Sequence, residues 1–174
     1  MATPHGKKNC PVTKRGQSLA SCDDEALYVA DNQDHCVQKL RLADGAHLCR
    51  IGAGALGDVS SGDGEGQFDA PVGLCVAEGV LYVCDENNCR VVALGVDLVW
   101  RYAFGRQGSG DGEFERPVGV VMHDNELYVV DQDTHRVQVC GTRDLVLCAR
   151  KAHIAPRPLI PLLGRCLCLI IADG

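Results

Sequence analysis

The chain has 174 residues, enough for one ordinary domain, with a formal net charge of −6 and 11 cysteines. No two cysteines have Cys-x-x-Cys spacing and Cys166-x-Cys168 alone makes no metal site, so a zinc knuckle is excluded; an odd count without framework spacing argues against a secreted disulfide scaffold. The one extended apolar stretch, 159–171, is broken by Pro161 and Arg165 and is too short to cross a bilayer, so no membrane association is expected.

Residues 1–17 form a polar tail carrying Lys7, Lys8, Lys14 and Arg15, without an apolar signal core, and a cytoplasmic location is the expectation. From residue 18 the chain falls into short apolar runs bounded by Gly, Asn and Asp. The first four are 18–22, 26–30, 36–42 and 46–51. Five- and six-residue runs rich in Val, Leu and Tyr read as strands, and no segment sustains a capped 3.6-residue period, so the chain is expected to be all-β. A Gly/Ala/Ser-rich connection follows at 53–62.

The next four runs, 72–77, 80–84, 90–94 and 98–104, repeat the plan, and 118–123, 126–130, 136–140 and 145–149 repeat it again. Leu27-Tyr28-Val29-Ala30-Asp31 returns as Leu81-Tyr82-Val83-Cys84-Asp85 and as Leu127-Tyr128-Val129-Val130-Asp131. Between 64–94 and 110–140, 12 of 31 aligned positions are identical, and Gly, Pro, Asp and aromatic residues dominate them. Such residues fix turns and strand registers, so their recurrence signals a shared backbone path. The units are approximately 18–52, 64–105 and 110–150. Leu169-Ile170-Ile171-Ala172-Asp173 resembles a truncated fourth, within an otherwise Pro-containing apolar tail of 151–174.

Four antiparallel strands in each repeat of this length are the signature of a β-propeller blade. Three blades are short of the four to eight that close a ring. Either further blades lie outside this sequence or the chain closes a ring by self-association.

The pattern Gly-x-Gly-x-x-x-Phe-x-x-Pro-x-Gly, then Leu-Tyr-Val-x-Asp, then Asn-x-Arg-Val or x-His-Arg-Val resembles the NHL repeat. Residues 110–139 match almost throughout, including Thr134-His135-Arg136-Val137. The second copy departs with Cys89 where the motif has His, and the first with Cys36 where it has Arg. The resemblance implies a propeller whose relatives include RNA-binding, protein-binding, ubiquitin-ligase substrate-recognition and enzymatic members, so function must come from the site.

In such a blade the turn between strands two and three and the connection between blades emerge on one face. Those segments are 31–36, 53–71, 85–90, 105–117 and 131–136, and they hold 13 acids against four arginines. The candidate binding residues are Asp63, Glu65, Asp69, Glu86, Asp111, Glu113, Glu115 and Asp133. A basic protein or peptide is the expected partner, by charge complementarity. Nucleic acid is not expected: the face repels phosphate, and Tyr28, Tyr82, Tyr128, Phe68 and Phe114 are assigned to packing rather than base stacking.

Asp85 with Arg90 and Asp131 with Arg136 sit at the two ends of equivalent turns and are expected to be structural clamps; Asp31 faces Cys36 and must use backbone donors. His35 and His135 occupy equivalent turn positions, with Cys89 between them in the series. The resemblance offers them as metal ligands of a lyase- or hydrolase-type propeller, against a packing role. No EF-hand or phosphate-loop spacing accompanies the glycine-rich connections, and no cofactor is expected. Cys75, Cys84, Cys140 and Cys148 fall in apolar runs, as small buried hydrophobes. The expected function is a non-catalytic interaction scaffold.

Overall fold

The computed structural model describes residues 20–53, 61–141 and 148–153. These form β1 (Ala20–Cys22), β2 (Ala26–Asp31), β3 (Cys36–Arg41), β4 (His47–Gly52), β5 (Pro71–Ala77), β6 (Val80–Asp85), β7 (Arg90–Gly95), β8 (Trp100–Phe104), β9 (Pro117–His123), β10 (Glu126–Asp131), β11 (Arg136–Gly141) and β12 (Cys148–His153). They pair antiparallel, in chain order, as three four-stranded sheets. Each sheet is one of the repeats, and the first strands β1, β5 and β9 meet one another in turn. The three sheets are propeller blades, and among the described residues they do not close a ring.

Register is shared as closely as sequence. Asp31 pairs with Cys36, Asp85 with Arg90 and Asp131 with Arg136 where the second and third strands of each blade turn. Each blade also shifts register at one place between its third and fourth strands: Lys39/Leu40, Ala93/Leu94 and Val139/Cys140. A bulge there bends the outer strand and adds to the right-handed twist that lets sheets fan around an axis.

The Leu81-Tyr82-Val83-Cys84-Asp85 strand of the middle blade is apolar on both faces because that blade is covered on both sides. Successive strand residues point to opposite faces. In blade 2, Leu81 and Val83 therefore join Val92, Leu94 and Phe68 against Ala26, Tyr28 and Val37 of blade 1. Tyr82 and Cys84 join Val91 and Ala93 against Phe114, Val120, Leu127 and Val129 of blade 3. The blades approach so closely at the centre that a Cβ on Gly73 would lie 2.5 Å from the Val118 carbonyl oxygen. That contact accounts for the glycine of the Pro-x-Gly motif.

Two predicted strands are displaced. Leu98 belongs to the turn before β8, with φ +64 and its amide donating to Gly95 O at 2.9 Å. Its side chain is nevertheless buried, so an apolar run alone reads it as strand. The last strand is β12 at Cys148–His153 rather than 145–149: the shape of an apolar run does not reveal the register chosen by β11. The motif at 169–173 and the tails 1–17 and 154–174 lie outside the described residues, as does Asp58 of the first connection.

Candidate functional site: the connecting face

The turns 32–35, 86–89 and 132–135 and the connections leading into blades 2 and 3 form one end of the molecule. Asp85 and Asp131, both fully buried, hold it together. Asp85 Oδ1 accepts the Asp69 amide at 2.7 Å, while Oδ2 accepts Asn88 Nδ2 and Arg90 Nε, each at 2.8 Å. Arg90 then donates onward to the carbonyl oxygens of Gln67 (3.0 Å), Gly64 (3.4 Å) and Asp63. The clamp therefore spans more than its hairpin: it pins the preceding connection onto the turn. Burial pushes the Asp85 carboxyl up, against the pull of Asn88, the Asp69 amide and Arg90.

Blade 3 repeats the device. Asp131 Oδ1 accepts the amides of Glu115 (3.1 Å) and Arg116 (2.8 Å). Its Oδ2 accepts Thr134 Oγ1 at 2.6 Å and Arg136 Nε at 3.3 Å. Arg136 donates to Glu113 O at 2.6 Å and to Ser109 O. Gln138, buried beside it, donates to Glu113 O at 2.5 Å and accepts the Gly112 amide at 3.1 Å. In blade 1, Asp31 Oδ1 accepts the amides of Gln33 (3.2 Å) and Asp34 (3.0 Å).

Two members of the His–Cys–His series, His35 and Cys89, serve blade-to-blade contact. His35, Cys89 and His135 all have left-handed backbones, with φ 47, 52 and 50. His35 Nδ1 accepts the Ala70 amide of the next connection at 3.0 Å and lies 3.3 Å from Asp69 Oδ1. Cys89 Sγ donates to Glu115 O, one blade further on, at 3.3 Å. His135 is exposed. Among the described residues no three His, Cys, Asp or Glu side chains group to hold a metal ion.

The candidate acids divide into two kinds. Glu113 is an organiser: its Oε2 accepts the Gly110 amide at 2.9 Å, and its Oε1 accepts Arg106 Nη2 at 2.8 Å. Glu86 pairs with Arg116 at 2.6 Å, and Asp69 accepts Asn87 Nδ2 at 3.1 Å. Asp63, Glu65, Asp111, Glu115 and Asp133 are exposed, although Asp133 lies 3.9 Å from Arg116. All four arginines of the face are thus committed to acids within it, and the exposed carboxylates set its potential.

The hydrogen bond from Arg106, with that of the Gly110 amide, holds the Glu113 carboxyl below the ordinary glutamate range. A folded value below the unfolded one means that the contact supports the loop above the glutamate range and is lost as pH falls through the folded value. By carboxyl NMR, Glu113 is expected to titrate at lower pH than glutamate in an unfolded peptide, and Arg106→Gln is expected to raise that midpoint.

Two features were not anticipated. Cys140 is disulfide-bonded rather than a free packing thiol, whereas Cys36, Cys84 and Cys89 are free and buried. A cysteine inside an apolar run carries no spacing signal that marks it as paired. At the opposite end of blade 1, a cavity of about 490 Å³ is lined by Asp24, Glu25, Lys39, Arg41, Leu42 and Leu48 among others, and Leu42 and Leu48 are exposed. It is assembled from two separate turns.

The NHL repeat family matches residues 68–94 and 114–140. The chain carries two NHL repeats. The matched segments run from the buried Phe68 and Phe114 through the Asp85–Arg90 and Asp131–Arg136 clamps to the end of the third strand, and blade 1, with Cys36 in place of the arginine, lies outside them. A comparison with curated protein sequences returned no match. Among solved structures, the NHL-repeat chain is similar to hydrazine synthase of Kuenenia stuttgartiensis (TM-score 0.56, 14% identity, 88% of this chain and 38% of that one). It is also similar to a protein of Bacteroides fragilis described as exported (0.55, 14%, 79% and 38%) and to U3-55K (0.55, 15%, 76% and 39%). The chain spans about two fifths of these structures, and at such identities the likeness is one of fold.

Proposed function

We propose that this NHL-repeat chain is a non-catalytic interaction module whose connecting face binds a basic protein segment. The observation that carries the reading is the commitment of Arg90, Arg106, Arg116 and Arg136 to acids of the face, while Asp63, Glu65, Asp111 and Glu115 remain exposed. Clustered carboxylates on rigid turns attract a cationic partner, mainly through association rate, and the attraction weakens with salt. The metal-dependent alternative asks His35 to be a ligand, but its Nδ1 is engaged by the Ala70 amide.

The test is charge reversal of Asp63, Glu65, Asp111 and Glu115 to lysine, leaving Glu113 to build its loop. Binding of a Lys/Arg-rich peptide, measured by calorimetry at low and physiological salt, is expected to fall by about tenfold or more in a protein that melts as the wild type does. Unchanged affinity would overturn the reading.

A further inference from the structure

Each blade buries an aspartate at the end of its second strand, but only two set an arginine across from it. In blades 2 and 3 the carboxylate Oδ2 receives a guanidinium Nε–H, at 2.8 Å from Arg90 and 3.3 Å from Arg136. Blade 1 keeps the register, with Cys36 in the arginine position. Asp31 is as fully buried as Asp85 and Asp131, and its Oδ1 is satisfied by two turn amides. Its Oδ2, however, meets no donor among the described residues, and neither does the buried Oδ1 of the adjacent Asn32. The Arg50 guanidinium on β4 donates through Nη2 to Ala53 O, and its own buried Nε likewise meets no partner among the described residues. An unsatisfied buried acceptor is costly, more so if charged, so this arrangement is unfavourable unless a donor completes it.

We propose that blade 1 carries a guanidinium-accepting site, formed by Asp31 and Asn32 beside Cys36 and completed by an arginine side chain from outside the blade. The chain itself supplies the template twice: one N–H on the carboxylate, the remaining donors on main-chain carbonyls. A planar guanidinium meets that geometry, and a lysine ammonium, a single point charge, does not. The Cys36 thiol, pushed up to about 11 chiefly by burial, is neutral at pH 7 and supplies no cation. The arginine has two sources, Arg15, the one arginine among residues 1–19, or an arginine of a bound basic segment. The site is independent of the acids reversed above, so it stands or fails separately from the proposed function.

Arginine amide is the probe, with lysine amide for comparison, read by the melting temperature and the amide resonances of Gln33 and Asp34. Cys36→Arg supplies the guanidinium within the blade and is expected to raise the melting temperature. Asp31→Asn keeps Oδ1 for the two turn amides and replaces Oδ2 with a donor. If a partner supplies the arginine, wild type takes arginine amide saturably, lysine amide at least about tenfold more weakly, and neither variant responds. If Arg15 supplies it, wild type is silent, Arg15→Gln melts lower and takes arginine amide, and adding Cys36→Arg restores the melting temperature and removes the response. Silence in both wild type and Arg15→Gln overturns the proposal, as does a response that survives Asp31→Asn.

Discussion

Replacing Arg136 by alanine is expected to lower the free energy of unfolding by about 3–5 kcal/mol, because it removes one partner of a buried charge pair. The Arg136 side chain is 5% exposed and that of Asp131 is fully buried. Truncation leaves Asp131 Oδ2 with the Thr134 hydroxyl and the Glu115 amide but no cation, and strips donors from Ser109 O and Glu113 O. Arg136→Lys should recover part of the loss, since an ammonium replaces the charge but cannot span the carboxylate and two separated carbonyls. Arg106→Ala is the internal control. It breaks an ion pair whose arginine is 81% exposed, and solvent screening leaves such pairs little net stabilisation. Urea denaturation of the three variants separates the cases: similar losses for Arg136→Ala and Arg106→Ala would show that the clamp does not hold the connection.

Phe114→Ala is expected to cost a comparable amount, about 3–5 kcal/mol, by leaving a cavity between two blades. Phe114 lies in the connection rather than in a strand, yet it is fully buried. It packs with Tyr82, Cys84 and Val91 of blade 2 and Val120, Leu127 and Val129 of blade 3, and edge-on to Phe104 at 6.4 Å. Gly105, with φ +98, passes directly over it, where a Cβ would sit 2.6 Å from the ring. The ring is thus the joint between neighbouring repeats, and in repeat architectures such joints carry the nearest-neighbour coupling. Hydrogen exchange should show faster opening of β9–β11 than of β6 and β7 in Phe114→Ala. Uniform acceleration throughout the chain would mean that the ring contributes to one shared core instead.

Much of this architecture is written locally. The Leu-Tyr-Val-x-Asp strands, the Gly and Asp turn residues and the offsets between copies identify three four-stranded units, because strand period and turn chemistry are properties of adjacent residues. What remained illegible depends on residues far apart in the chain. Arg90 reads as the partner of Asp85, five residues away, but its reach to Asp63, Gly64 and Gln67 is a property of the folded connection. Glu113 reads as one more surface acid, whereas its carboxylate closes the loop around Gly110. Gln138 stands where blade 2 has Val92, and only the structure shows its amide bonded to the adjacent Gly112 and Glu113 of the connection. The loss of the arginine at Cys36 was visible in sequence; that Asp31 would be left with a buried acceptor was not.

The acidic face and the Leu42–Leu48 groove lie at opposite ends of the blades, so one titration distinguishes them. A Lys/Arg-rich peptide added to isotope-labelled protein should shift amides in 63–69, 86–88, 111–116 and 132–135, with the shifts collapsing at high salt. Shifts confined to the opposite turns, at 24–25, 42–48, 78–79 and 96–99, or no saturable shifts at all, would contradict the assignment of binding to the connecting face.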